Sequence, residues 1–122
     1  MFKKLLFFTL TFALFALAIC DNSIKITQTL SSAWEGHSTW NVVIENIGDK
    51  PIFGATIVAE SGLSLERPDN LWSLDSLGNN RFGLPSWITQ NGGLKAFNGT
   101  HTFGYTNAQP TSAVFSATDI RY

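Results

Sequence analysis

Alternating apolar and polar residues dominate the chain after residue 20 and predict a series of short β-strands. The clearest cases are residues 24–30 and residues 40–46, in which Trp40, Val42 and Ile44 share one face. A period of two is typical of a strand with one face buried. Further strands are predicted at residues 52–59, 71–74, 81–84, 100–105 and 113–118.

Turn residues separate these segments at fairly even intervals. Gly78-Asn79-Asn80 resembles a hairpin turn, and Asn91-Gly92-Gly93 and Asn98-Gly99 are further turn signals. After residue 20 no segment shows the periodicity of a helix. Seven or so short strands with such spacing predict an all-β protein: a single antiparallel β-sandwich of immunoglobulin-like or jelly-roll-like type.

Residues 1–20 have the layout of a secretory signal peptide. An apolar segment at 5–19 follows two basic residues, Lys3 and Lys4. Small residues occur at its end, at Ala16, Ala18 and Cys20. It is shorter than the roughly 20 residues of a membrane span. A lipid anchor on Cys20 is the competing interpretation, but Ile19 stands where a small residue is expected. We therefore predict cleavage after Ala18 or Cys20, secretion of residues 21–122, and no membrane association afterwards.

The charge of the predicted mature domain bears on its partners. Outside the leader, six Lys and Arg residues stand against nine Asp and Glu residues. A mildly acidic domain is a poor partner for nucleic acid or for an anionic membrane surface. A chain of about 100 residues is large enough for one hydrophobic core and too small for two, so we predict one domain.

Enzyme chemistry and metal binding are not expected. The only histidines, His37 and His101, lie in polar sequence where we expect solvated side chains. No His or Cys pair has zinc-ligand spacing. A glycosidase would need paired carboxylates, but scattered acids in a small secreted domain are usually surface charges. We predict no catalytic residue, no metal and no cofactor.

Three of the four tryptophans stand apart from the apolar pattern. Trp40 fits the core, but Trp34, Trp72 and Trp87 are surrounded by polar and turn residues, and Pro85 favours an exposed bend before Trp87. We expect Trp34 in the loop after the first strand. Three exposed indoles in a small domain would form a large apolar patch, which normally marks a binding site.

Indole rings suit the apolar C–H face of a sugar ring, while amide and hydroxyl side chains suit its polar rim. If each ring removes roughly 100 Å² of apolar surface from water, stacking contributes about 2.5 kcal/mol per tryptophan. A rigid, insoluble polymer loses little entropy on binding. The pattern therefore favours a solid polysaccharide as the partner.

Short motifs along the mature chain resemble a known family. They occur in the order Ser32-Ala33-Trp34, Val42-Val43-Ile44-Glu45-Asn46-Ile47-Gly48, Leu71-Trp72-Ser73-Leu74, Leu84-Pro85-Ser86-Trp87 and Phe103-Gly104-Tyr105. Together they resemble carbohydrate-binding module family 49 and, more distantly, the family 2 cellulose-binding modules. The resemblance covers residues 24–118. It implies a β-sandwich that binds crystalline cellulose as part of an extracellular matrix or wall.

The resemblance also implies site residues. The three planar binding tryptophans would be Trp34, Trp72 and Trp87, the same three that the polarity of their surroundings selects. Polar residues beside them are candidates for contacts to sugar hydroxyls: Asn41, Asn70 and Thr102. Chitin or another β-glucan remains an alternative ligand, and an immunoglobulin-like adhesion module that binds protein remains an alternative function.

Asn98-Gly99-Thr100 is an N-glycosylation sequon in a turn. If the chain passes through a eukaryotic secretory pathway, we expect a glycan on Asn98.

Overall fold

The computed structural model of the protein describes residues 23–122, so the predicted signal peptide lies outside the described residues. The strands are β1 (Ile24–Trp34), β2 (His37–Asn46), β3 (Gly54–Ser61), β4 (Leu71–Trp72), β5 (Asp75–Gly78), β6 (Arg81–Gly83), β7 (Thr100–Asn107) and β8 (Val114–Arg121). A single 3₁₀ turn, Pro68–Asn70, precedes β4, and a five-residue helix, α1 (Ser86–Gln90), follows β6. Within this part of the chain, no helix is long and apolar enough to cross a bilayer.

The strands form two four-stranded sheets in which neighbouring strands are antiparallel. The first sheet has the order β1-β2-β7-β4, and the second has the order β5-β6-β3-β8. Along the chain, only β1–β2 and β5–β6 are consecutive strands of the same sheet, and every other connection between strands crosses to the opposite sheet. The predicted all-β antiparallel sandwich is confirmed.

The core lies between the two sheets. The rings of Phe103 and Tyr105 from β7 each meet Phe115 from β8 edge to face, with ring centroids 5.4 Å apart. Edge-to-face packing of this kind adds to the burial of apolar area. The side chain of Trp40 also packs against this core, as its strand pattern predicts, and its Nε1 donates a hydrogen bond to Ser38.

The hairpin turn predicted at Gly78-Asn79-Asn80 is present. Asn79 and Asn80 connect β5 to β6 with φ angles of 53° and 61°. A two-residue hairpin turn with both central residues in the left-handed region is favourable for asparagine.

Two local predictions are wrong. Trp34 does not lie in a loop, because β1 passes through a bulge between Leu30 and Ser32 and continues to residue 34. The bulge breaks the alternation that would have extended the strand. Residues 86–90 form a helix, although no helix was predicted after residue 20. Five residues are too few to show a helical periodicity in the sequence. Pro85 lies at its N-cap, and only Ile88 of the helix is buried.

Candidate functional site

The outward side of the β1-β2-β7-β4 sheet, here called the outer face, collects most of the candidate residues. Along β2, Val42 and Ile44 are fully buried against the core. Alternation therefore turns Asn41, Thr39 and His37 to the opposite side. The residues of β1 and β7 that pair with these three therefore also lie on the outer face, and so does the residue of β4 that pairs with the outward side of β7.

Trp72 lies on the outer face, directly over the backbone of β7. It pairs with Gly104, and a methyl group added at Gly104 would approach the indole atoms Cζ2, Cε2 and Nε1 to 2.5–2.7 Å. One side of the indole is therefore seated on the Gly104 Cα, which leaves 41% of the residue exposed. The ring is presented from a rigid sheet, which limits the entropy lost when it contacts a ligand.

Trp34 lies on the same side, at the hairpin end of β1 and β2. It pairs with His37 across a two-residue turn in which Gly36 has a φ of 75°. The rings of Trp34 and His37 are stacked, with centroids 5.5 Å apart and an interplanar angle of 2°. Half of Trp34, 50%, is exposed.

Hydroxyl side chains separate the two tryptophans. Counting four residues along β2 and three strand spacings across the sheet puts the Cα atoms of Trp34 and Trp72 about 20 Å apart. Thr39 and Thr106 form the outward row between them, with their Oγ1 atoms 3.0 Å apart. Two apolar rings with hydroxyls between them match the apolar faces and polar rims of a row of sugars.

The three predicted polar residues have different surroundings. Asn41 is exposed in the same cross-strand row as Trp72, beyond Gly104. Thr102 is exposed in the next outward row, which lies further from Trp34 than the row of Asn41 and Trp72. Asn70 ends the 3₁₀ turn, where its Oδ1 accepts a hydrogen bond from the backbone N–H of Arg67.

Trp87 belongs to α1 and not to either sheet, so strand register does not place it with the other two indoles. It is 52% exposed, and its ring meets that of His101 edge to face at 5.5 Å. The side chain of His101 is buried in β7, and its Nε2 lies 2.6 Å from the carbonyl oxygen of Ser73. The expectation of a solvated His101 is wrong, because β7 begins at residue 100 and turns residue 101 towards the core.

His37 is more than a solvated side chain. Its Nδ1 lies 3.1 Å from the carbonyl oxygen of Glu35, and its Nε2 lies 3.0 Å from Oε2 of Glu66. These two acceptors, the Glu35 carbonyl first, raise the pKa of His37 above its ordinary value of 6.5. Within residues 23–122, no group of three or more potential ligands could hold a metal ion.

Four contributors to the outer face were missed by the sequence interpretation: His37, Thr39, Gly104 and Thr106. Thr39 continues the alternation of β2 by two residues, so a longer strand would have included it. Gly104 stands inside an apolar strand, a position where a glycine often marks the close approach of another group. The contact between His37 and Glu66 had no local signal, because 29 residues separate them.

Comparison with known proteins identifies a family for this chain. No curated protein shows significant sequence similarity to the chain. The model of the family described as "Carbohydrate binding domain CBM49" matches residues 24–109, which include β1 to β7 and all three exposed tryptophans. Since this match spans well over half of its length, the chain belongs to the CBM49 family of carbohydrate-binding domains.

Proposed function

We propose that this domain is a secreted, non-catalytic module that binds crystalline cellulose through the outer face. Trp34 and Trp72 would stack on sugar rings, and the hydroxyls of Thr39 and Thr106 would contact the chain between them. Trp87, from α1, would be a third stacking indole. The proposed location is an extracellular matrix or wall.

One observation carries the proposal: the register places Trp34 and Trp72, both about half exposed, on the same side of one sheet. Exposed indoles held by strands form a preorganised apolar surface. Membership of a carbohydrate-binding family makes a sugar polymer the expected occupant. The length of the surface favours an extended chain over a single sugar.

The polymer is tested by depletion isotherms of the purified domain on microcrystalline cellulose and on chitin, in low and in high salt. We expect saturable binding to cellulose that persists in high salt, because stacking is not screened as surface charge pairs are. Saturable binding to chitin alone would be consistent with the outer face as the binding site but would identify chitin as the polymer. Binding to neither would contradict the proposal and favour the alternative of a module that recognises protein.

A glycan on Asn98 is part of the proposed secreted form. Asn98 is exposed in the turn before β7, between Phe97, which is 64% exposed, and Gly99. An exposed sequon in a turn is accessible to a transferase. We expect enzymatic deglycosylation of protein secreted from eukaryotic cells to increase its gel mobility, and Asn98→Gln to abolish that change. Unaltered mobility of the parent protein would show that Asn98 carries no glycan.

A further inference from the structure

The hydrogen bonds of His37 define its charge state. Both ring nitrogens face oxygen acceptors, the backbone carbonyl of Glu35 and the carboxylate of Glu66. A carbonyl and an ionised carboxylate cannot donate, and a neutral imidazole has only one N–H. The two bonds can therefore be made together only by the imidazolium.

The imidazolium is stacked on Trp34. The two rings are parallel within 2°, with their centroids 5.5 Å apart, so the positive ring faces the indole. A cation at this distance is attracted by the quadrupole of the indole. His37 is in turn fixed at both nitrogens, which restricts its ring rotation and provides a firm support for Trp34.

We propose that protonated His37 is a positioning residue that holds the Trp34 indole in its binding orientation. Glu66 and the Glu35 carbonyl would fix the imidazolium, and the imidazolium would fix the indole. The effect on ligand affinity rests on the proposed function, but the effect on the Trp34 ring does not.

The direction of the pH dependence follows from these contacts. The acceptors raise the pKa of His37, so the stacked, charged form is complete below pH 6.5 and is lost as the pH rises through the raised pKa. Binding should therefore be stronger in mildly acidic solution and weaken towards alkaline pH.

Other charged groups near this pair are few. Glu35 contributes its carboxylate to the same hairpin turn, and Glu66 comes from the segment before the 3₁₀ turn. Arg67, next to Glu66, pairs with Asp69 through Nε at 3.3 Å. Residues 106–109 on the β7 side contain no titratable side chain.

The test follows the tryptophan indole N–H resonances by NMR between pH 5 and 9, without any carbohydrate. Trp34→Phe assigns the Trp34 signal. We expect this signal to titrate with a midpoint above 6.5, and Glu66→Gln to lower that midpoint. His37→Phe retains a ring beside Trp34 but removes the charge and the two hydrogen bonds, so it should abolish the titration. A Trp34 signal that does not move with pH, or that titrates identically in His37→Phe, would overturn the proposal.

Cellulose binding over the same pH range provides the second readout. We expect the parent domain to bind about two- to fivefold more tightly at pH 5.5 than at pH 8.5, the effect of a cation–π contact at an exposed site. His37→Phe should bind with the weaker affinity at both pH values. Binding with no dependence on pH or on His37 would overturn the inference and leave the proposed function intact. Absence of cellulose binding beside a titrating Trp34 signal would overturn the proposed function alone.

Discussion

At the scale of single residues, a glycine determines how one exposed indole is presented. Gly104 lacks the Cβ that would occupy the space of the Trp72 ring, so the indole can lie against the strand. The same space is absent at most strand positions, where the side chain of the partner residue would hold the ring away from the backbone. The observed position of the Trp72 ring therefore requires glycine at position 104 as well as tryptophan at position 72.

We predict that Gly104→Ala displaces Trp72 and weakens cellulose binding about tenfold. The new methyl group would lie 2.5 Å from the ring, so the indole must lift, and part of its stacking surface is lost. Gly83→Ala is the matched control, since its methyl group would lie 3.6 Å from Leu77 on the second sheet, an ordinary contact. Equal binding by the two variants would show that Trp72 does not need its glycine seat.

Buried polar residues show where sequence reasoning reaches its limit. Asn46 and Asn107 are fully buried, yet their amides are satisfied by backbone groups of neighbouring loops. Asn46, for example, donates to the carbonyl oxygens of Lys50 and Leu94 and accepts from the N–H of Gly48. An asparagine at the end of a strand is typical of a turn, and nothing local distinguishes these loop-fixing residues from exposed ones.

At the scale of elements, a polar network ties three strands or their adjoining segments together. The hydroxyl of Tyr105 in β7 donates to Oε1 of Gln28 in β1 and accepts from the N–H of Ala113, just before β8. Gln28 in turn donates to the carbonyl oxygen of Ala113. Burial raises the pKa of Tyr105 above its ordinary value of 10.0, so the hydroxyl stays protonated at physiological pH. The network links the edge of the first sheet to the second sheet.

We predict that Tyr105→Phe lowers the free energy of unfolding by about 1–3 kcal/mol, because it leaves the N–H of Ala113 and the Gln28 amide without this partner. Urea unfolding followed by circular dichroism measures the change. Tyr122→Phe is the matched control, since Tyr122 is 57% exposed and its hydroxyl bonds the Ser23 hydroxyl at the surface, where water can replace it, so stability should change by less than about 0.5 kcal/mol. A Tyr105→Phe domain as stable as the control would contradict this role of the network.

The elements differ in how well the sequence predicts them. Strands β2 and β7 have regular alternation, and their cores at residues 40–46 and 100–105 are present as predicted. Strand β4 is only two residues long and helix α1 only five, so both depend on tertiary contacts that no local pattern records. The exposure of Trp87 could be predicted from its polar neighbours in the sequence. Its position relative to the outer face could not be predicted, because it belongs to that short helix.

At the scale of the whole molecule, the two sides of the sandwich differ. The outer face carries Trp34 and Trp72, whereas the strands of the second sheet contain no tryptophan. The outward side of that second sheet holds the pair of Arg81 and Asp119, 3.5 Å apart. We therefore expect one-sided binding, in which the domain lies on a polymer surface with its second sheet towards solvent.

Sequence reasoning identified the sandwich, the family and the exposed tryptophans, because these depend on period-two patterning and on residue type. It did not identify which side of which sheet presents them. That assignment needs the strand order and the register, which are set by contacts between residues far apart in the chain. The contacts of His37 with Glu66 and of Trp72 with Gly104 belong to the same class of long-range information.

The most direct test of the outer face is the cellulose isotherm of the Trp34→Ala/Trp72→Ala double variant, with its fold checked by circular dichroism. Each lost indole should cost about 2.5 kcal/mol, or about 70-fold in the dissociation constant, so binding should fall below detection. Leu77→Ala, which removes an exposed apolar side chain from the second sheet, should bind like the parent domain. A folded double variant that binds cellulose as tightly as the parent would contradict the central claim.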